Sequence, residues 1–499
     1  MLRRLCPALL LLLCSAAFAA PGTAIPPEVD AALARAKIPR EAVALLVLDA
    51  DAAIPAAARL AHRTQVAMNP ASVMKLTTTY AALDLLGPAY AWSTPVYVEG
   101  PVRDGTLAGN VYIKGQGDPK LVLEKLWLLL RRLQGIGIKQ IAGDIVLDRS
   151  ALEVPDADPA NFDGEPLRPY NAAPDALLIN FKAVVMTFAP DRSTNTAQVQ
   201  LDPPLFGVQM QTSVPLSNAE CGDYRGALKA DFSDANRIRF AGSYAVGCGE
   251  KVWPVAYADP RSYALRAVQG MWLEMGGKLG GSVRFGTVPA TLAAGKPTFE
   301  ASSAPLAEII RDINKYSNNV MAQQVFLTLG RVVTPGALGA GSDAVASESV
   351  APGSASALTA GSFAASRAVV QRWWKERISA DEMPVWDNGS GLSRQERISA
   401  QGLASLLQVA WRSPYMSELM GSLPITGVDG TLKRFKSKAV GSAHLKTGTL
   451  SNVLARAGYV DGASGKRYVL VALINHANAN TEAARAAMET LVDWAARDN

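Results

Sequence analysis

Asn69-Pro70-Ala71-Ser72-Val73-Met74-Lys75 is the stretch on which the reading of this chain turns. An asparagine followed by proline opens a helix: the side chain caps a free amide, and proline brings a fixed φ to a first turn that needs no N–H from it. Leu83, Leu85 and Leu86 then give the helix apolar positions, and Gly87-Pro88 stops it. Three residues apart on such a helix, Ser72 and Lys75 share one face within hydrogen-bonding reach. A serine hydroxyl is a poor nucleophile without a base. Lysine becomes one when burial, or another cation close by, destabilises its ammonium form.

Two later stretches supply what this pair lacks. Lys446-Thr447-Gly448-Thr449 stands beside a strand predicted over Val453 to Val460, and Lys446 is a candidate for the second cation. Gly448 would leave the strand edge open to a substrate backbone. Lys446, Thr447 and Thr449 would offer charge and hydroxyls to a substrate carboxylate. Ser317-Asn318-Asn319 falls between two helical patterns, Pro305 to Ile313 and Val320 to Leu329. Taken singly, each motif has a plain structural reading as a solvated surface pair, a cap or a strand end. Their order and settings give them weight together.

Around these motifs the chain has strand and helix at both ends and a β-rich middle. A helix over Pro27 to Lys37 precedes a buried strand, Val43 to Asp49, with a hairpin partner near Arg59 to Arg63. Two strands, Val453 to Val460 and Tyr468 to Asn475, and a helix from Asn480 to Ala496 close the chain. Short β-type runs separated by glycine turns fill the interval, among them Thr94 to Val98, Asn110 to Lys114, Gln198 to Leu201, Val208 to Thr212, Ile238 to Val246 and Val283 to Phe285, with one helix at Leu121 to Leu133. The Gly-, Ala- and Ser-rich stretch Pro335 to Ala360 reads as a loop. The expectation is an α+β chain. One discontinuous domain (20–92 and 287–499) shares a single sheet, interrupted by an insert (93–286) of two modules, 93–150 with 256–286 and 151–255.

At 499 residues the chain is long enough for two or three domains and should fold without help from disulfides or metals, and no cofactor is expected. Arg3-Arg4, the apolar run Leu9 to Leu13 and Ala17-Phe18-Ala19 form a signal peptide over residues 1–19, and export to the periplasm follows. Cys14 as a lipid-anchor site is disfavoured by the bulky Leu13 before it. No later run is long and apolar enough to span a bilayer, so membrane association is at most peripheral. In an oxidising compartment the two remaining cysteines, Cys221 and Cys248, pair by default. His62, His444 and His476 are scattered and give no metal site. Subtracting Arg3 and Arg4 from the formal charge of +5 leaves +3, too mild for nucleic acid and compatible with an anionic cell wall.

Ser-x-x-Lys, Ser-x-Asn and Lys-Thr-Gly in this order are the motif set of β-lactamases and penicillin-binding proteins. The chain resembles the class C low-molecular-mass penicillin-binding proteins, the D-alanyl-D-alanine carboxypeptidase/endopeptidase family. Three further stretches carry the resemblance: Lys114-Gly115-Gln116-Gly117-Asp118-Pro119, Tyr170-Asn171-Ala172-Ala173-Pro174-Asp175-Ala176-Leu177 and Asp387-Asn388-Gly389-Ser390-Gly391-Leu392-Ser393-Arg394. So does the interval of 245 positions between Ser72 and Ser317, where β-lactamases have only a short helical stretch. Asn318 replaces the Asp of the β-lactamase signature, as the family's Ser-x-Asn allows.

The resemblance implies a penicillin-binding fold, an antiparallel sheet with helices on both faces, and a serine D,D-peptidase acting on peptidoglycan peptides and inhibited by β-lactams. Ser72 would attack the carbonyl between two D-alanines, Lys75 take its proton, and Ser317 pass a proton to the leaving amine. Asn319 would orient the substrate amide, Lys446 and Thr447 hold its carboxylate, and the N–H groups of Ser72 and Thr449 form the oxyanion hole. Asp163 or Glu165 would meet a free amine of the side chain, as an acid does in some relatives. The competing readings are a β-lactamase and a catalytically silent wall- or β-lactam-binding protein. The first would need a glutamate to drive deacylation, and the candidates read from the sequence, Glu153 and Glu165, fall in the insert. The second would have lost part of the motif set, which is intact.

Overall fold

The run Val43-Ala44-Leu45-Leu46-Val47-Leu48 has no polar side chain to turn toward water, so a strand built from it must be covered on both faces. A computed structural model, which describes residues 24–52, 58–333 and 359–498, shows how. Strand β1 (Val43–Asp49) pairs antiparallel with β2 (Leu60–His62) on one side and with β5 (Arg467–Asn475) on the other. β4 (Val453–Asp461) and β3 (Ala443–Leu450) extend the sheet, giving the order β2-β1-β5-β4-β3, antiparallel throughout. The two ends of the chain therefore make one sheet.

Alternation sends Ala44, Leu46, Ala457, Tyr459, Val471 and Leu473 to one face. There they meet helices α2 (Lys75–Leu86), α3 (Leu306–Tyr316), α4 (Asn319–Val332), α5 (Phe363–Arg377) and α6 (Ala400–Trp411). Val43, Leu45, Leu454 and Leu470 point the other way, onto α1 (Pro27–Arg35) and α7 (Glu482–Arg497). This is the α+β arrangement that the resemblance implies, an antiparallel sheet with helices on both faces. The loop predicted over Pro335 to Ala360 and the leader over 1–19 lie outside the described residues, apart from Thr359 and Ala360.

Between α2 and α3 the chain builds the insert. Ser93–Val98, Val111–Lys114, Ile145–Asp148, Val283–Phe285 and Phe299–Ser302 form one mixed sheet. A second sheet gathers Ala183–Asp191, Thr196–Asp202, Ser213–Ser217, Tyr244–Ala245 and Lys251–Ala256. One apolar cluster, with Leu130, Phe188 and Trp272 fully buried, joins them. Phe299–Ser302 pairs with Ser93–Val98, so this sheet takes in a strand that the sequence reading did not single out. Four residues after a Pro- and Ala-rich stretch give too little alternation to announce a strand.

The insert is held to α4 by the Gln324 side chain, which accepts from Asp175 N at 2.9 Å and donates to Asp175 O at 2.8 Å. Cys221 and Cys248 are bridged across a separation of 27 residues within the second sheet's module. Closing a loop of that size stabilises by about 3 kcal/mol in the chain-entropy picture. Reduction should accordingly speed amide exchange in 209–248 while leaving covalent labelling of Ser72 by penicillin unchanged. Loss of labelling in step with reduction would show that the bridge supports the site itself.

Candidate active site

Asn69 does not simply cap the helix it precedes. Its Oδ1 accepts from Ala71 N at 2.8 Å, and its own N and O are both taken by the side-chain amide of Asn475 at the end of β5, each at 2.9 Å. Held this way, Ala71 adopts φ +46°, a left-handed conformation that costs an L-residue about 1–2 kcal/mol. Ala71–Met74 then form a 3₁₀ turn, and α2 begins only at Lys75. The difference from a helix opening at Pro70 follows from the anchor on β5.

Two glycines press on this turn. A Cβ on Gly391, which has φ +79°, would lie 2.1 Å from Ala71 O. One on Gly448 would lie 2.4 Å from Pro70 O and 3.1 Å from Ser72 N. Gly448 is thus required by the approach of the Pro70–Ser72 backbone to the edge strand, a different reason from the open substrate track inferred from sequence. The motif also lies in the middle of β3 rather than at a strand end.

Lys75 is fully buried, and its Nζ has three oxygen neighbours: Ser72 Oγ at 3.0 Å, Asn319 Oδ1 at 2.6 Å and Ser390 O at 2.5 Å. The last two only accept. A neutral amine has two N–H bonds to give them, and its lone pair is then left for the Ser72 hydroxyl. Burial favours that form, lowering Lys75 to about 7 against the opposing pull of Glu396.

Ser317 ends α3 in a left-handed conformation, φ +58°, and Asn318 caps α4 by accepting from Met321 N at 3.0 Å. The first residue of α4 is Asn319, whose Nδ2 donates to Tyr170 O at 3.2 Å. Lys446 Nζ donates to Ser317 Oγ at 2.9 Å and Thr447 O at 2.8 Å. Lys446 is also fully buried, and burial, with Lys75 and Arg456 as like charges, holds it well below the lysine range. Strand alternation separates Lys446, on the helical side with Ser317, from Thr447 and Thr449 on the other face. Ser72, Ser317, Thr447 and Thr449 line one cavity of about 380 Å³.

The free edge of β3 has amides to spare. Leu445 N points away from β4, donating to Pro424 O at 2.9 Å. Antiparallel alternation puts the N–H groups of Thr447 and Thr449 on that same edge, the side on which Ser72 N approaches Gly448. Asp163 is exposed on a loop of the insert, accepting from Tyr170 Oη at 2.9 Å and Asn171 Nδ2 at 2.8 Å. Phe162 beside it packs on Ala71, Leu450 and Val453, with the Arg394 guanidinium 4.7 Å from the ring centre. Glu165 is turned to Arg168 at 3.4 Å.

Sequence reasoning missed Glu396. Between Arg394 and Arg397 it reads as part of a solvated charge run, yet it is fully buried. Its Oε1 accepts the N–H groups of Asp387, Asn388 and Gly389 at 3.2, 3.2 and 3.0 Å, and its Oε2 has no partner among the described residues. Burial raises its carboxyl to about 7. The turn it gathers presents Ser390 O to Lys75, so Gly389-Ser390-Gly391 serves as a wall around the amine.

A serine hydroxyl, a desolvated lysine beside it and an edge strand with free amides, on a sheet covered by helices, are the features of a serine D,D-peptidase of the penicillin-binding class. The chain belongs to the D-Ala-D-Ala carboxypeptidase 3 (S13) family, whose sequence model matches residues 26–498. It is 25% identical over 414 residues to the D-alanyl-D-alanine carboxypeptidase DacB of Haemophilus influenzae, covering 82% of this chain and 80% of that one. It is 27% identical over 425 residues to a D-alanyl-D-alanine carboxypeptidase of Actinomadura sp. strain R39, covering 80% and 71%. The crystal structure of penicillin-binding protein 4 (dacB) from Haemophilus influenzae superposes with TM-score 0.67 at 24% identity, over 93% of this chain and 97% of that one, and its complex with a β-lactam with TM-score 0.65 at 22%, over 94% and 98%.

With a neutral Lys75 amine beside its hydroxyl, Ser72 should be acylated faster as pH rises through an apparent pKa near 7, the rate levelling off above it. Glu396→Gln removes the one negative charge that favours the ammonium form, and should move that midpoint to lower pH by about one pH unit. A pH series of penicillin acylation rates checks both. An unmoved midpoint in Glu396→Gln would mean that Glu396 is uncharged over this range.

Proposed function

We propose that the enzyme cuts peptidoglycan stem peptides after a D-alanine through an acyl-enzyme on Ser72. The arrangement of Lys75 carries this reading: two acceptor-only neighbours direct its lone pair to the serine hydroxyl. Ser72 Oγ attacks the carbonyl as Lys75 takes its proton. The amides of Ser72 and Thr449 receive the oxyanion, an interaction worth roughly 3 kcal/mol per donor in other hydrolases. Ser317, fixed by Lys446, passes a proton to the leaving amine, and water then releases the peptide. Asn319 orients the substrate amide, while Thr447, with charge from Lys446, serves the carboxylate. Asp163 stands at the rim as a partner for an amine on the substrate side chain. Export through a cleaved leader at 1–19 places the enzyme in the periplasm. Among the described residues no helix is long and apolar enough to cross a membrane.

Penicillin acylates such a serine, and the β-lactam complex of the Haemophilus influenzae protein supports the same for this chain. The β-lactamase alternative needs a base that activates water at the acyl-enzyme. Glu396 is a buried glutamate close enough to bias Lys75, but its ligated oxygen is filled by three amides and it stands behind the turn leading to Ser390. The penicilloyl adduct should therefore persist for minutes in intact-protein mass spectra. Ser72→Ala should abolish it, and Lys75→Ala should slow its formation by about 10²–10⁴-fold. An adduct that vanishes within seconds while bulk penicillin is turned over would favour the β-lactamase reading. Defined monomeric and cross-linked muropeptides, with products identified by mass, divide carboxypeptidase from endopeptidase action.

A further inference from the structure

The cavity at Ser72 does not end at the two threonines. It continues over the edge strand toward α7, where Arg434, Arg456, Arg485 and Glu489 line it. Arg456 stands on β4 directly opposite Thr447 and on the same face. It is 7% exposed, and a guanidinium so buried is ordinarily matched by a carboxylate. Here it has none within ion-pair distance among the described residues. One terminal nitrogen donates to Ala455 O at 2.7 Å, and Nε has no partner among those residues. Glu489 is near enough to favour the charge but already accepts from Lys436 N at 2.8 Å, and Arg485 opposes it. Lys446 lies on the other face of the strand and donates to Ser317 Oγ and Thr447 O, so any charge it brings acts from behind Thr447, whereas Arg456 faces the cavity.

We infer that Arg456 is a specificity-determining residue: its guanidinium receives the α-carboxylate on the leaving side of the scissile bond, next to the Thr447 and Thr449 hydroxyls. The inference rests on the D,D-peptidase reading above and adds to it the group that distinguishes a free acid from its amide. An amide of the same shape brings no charge to the cavity and leaves Arg456 unpaired, so discrimination falls on this residue.

The test compares kcat/KM for a diacetyl-L-Lys-D-Ala-D-Ala peptide bearing a free C-terminus with that for the same peptide bearing a C-terminal amide. Wild type should prefer the acid by about 100-fold, the loss typical of a buried charge left without its partner. In Arg456→Leu the preference should collapse toward unity through loss on the acid, and Arg456→Lys should restore part of it. The melting temperature of Arg456→Leu should stay level or rise, because an unpaired buried charge gives way to apolar packing. Absence of an acid preference in wild type would overturn the inference. So would an unchanged preference in Arg456→Leu, or an equal fall on both peptides. Should Arg456→Leu not fold, Arg456→Gln is read by the same ratio. Cleavage of neither peptide by wild type, with no penicillin adduct on Ser72, would instead remove the peptidase reading and this inference with it.

Discussion

Burial of the Lys75 amine is the constraint from which the rest of the site follows. Removing an ammonium from water costs several kcal/mol after relaxation, and a protein meets that cost either by pairing the charge or by giving it up. Here the nearest carboxylate, Glu396, does not pair with the amine directly. It is itself buried and pushed up to about 7, so the support it gives the ammonium form fades as it takes up a proton, and burial of the amine decides the outcome. The neutral amine that results needs two acceptors and offers one lone pair. Asn319 on α4 and the Ser390 carbonyl are those acceptors, and Ser72 takes what remains.

Each of those partners comes from a different part of the chain, which explains the architecture around them. Ser390 O is held by a turn whose amides converge on Glu396. Asn319 is fixed at the start of α4 by the Asn318 cap and by Tyr170 of the insert. The insert therefore does more than lie beside the catalytic domain: its Tyr170–Leu177 strap fixes the side-chain amide that Lys75 depends on, and Gln324 clamps that strap to α4.

The sheet was legible because its strands are apolar on both faces, a pattern that few other structures share. Three motifs were legible because nucleophile, base and carboxylate site need particular side chains at fixed spacings. Other features left no local signal. β3 carries Lys, Thr and Gly where a strand pattern would want apolar residues, so it read as a run beside the strand Val453 to Val460 and not as a strand of its own. Glu396 is flanked by arginines, as an exposed glutamate would be, and only the fold turns it inward. Arg456 interrupts the otherwise apolar run of β4, an irregularity visible in the sequence whose meaning depends on the cavity across the strand edge. Gly448 was read as a substrate track because nothing in the sequence says that the Ser72 turn comes to lie against it.

Asn475 ties these levels together. Its side chain satisfies both backbone groups of a residue 406 positions earlier, and that residue sets the left-handed turn which delivers Ser72 to the edge of β3. The same sheet places Lys446 beside Ser317. The turn rests on β5, whose pairing with β1 closes almost the whole chain and so forms against a loop entropy. The strain at Ala71 is met locally by the bond from Ala71 N to Asn69 Oδ1, and Asn69 is in turn held by the distant Asn475. The Ser72–Lys75 contact is thereby made conditional on the completed fold: a chain lacking its last strand would retain both residues in sequence but not the anchor of the turn that brings the hydroxyl to the buried amine.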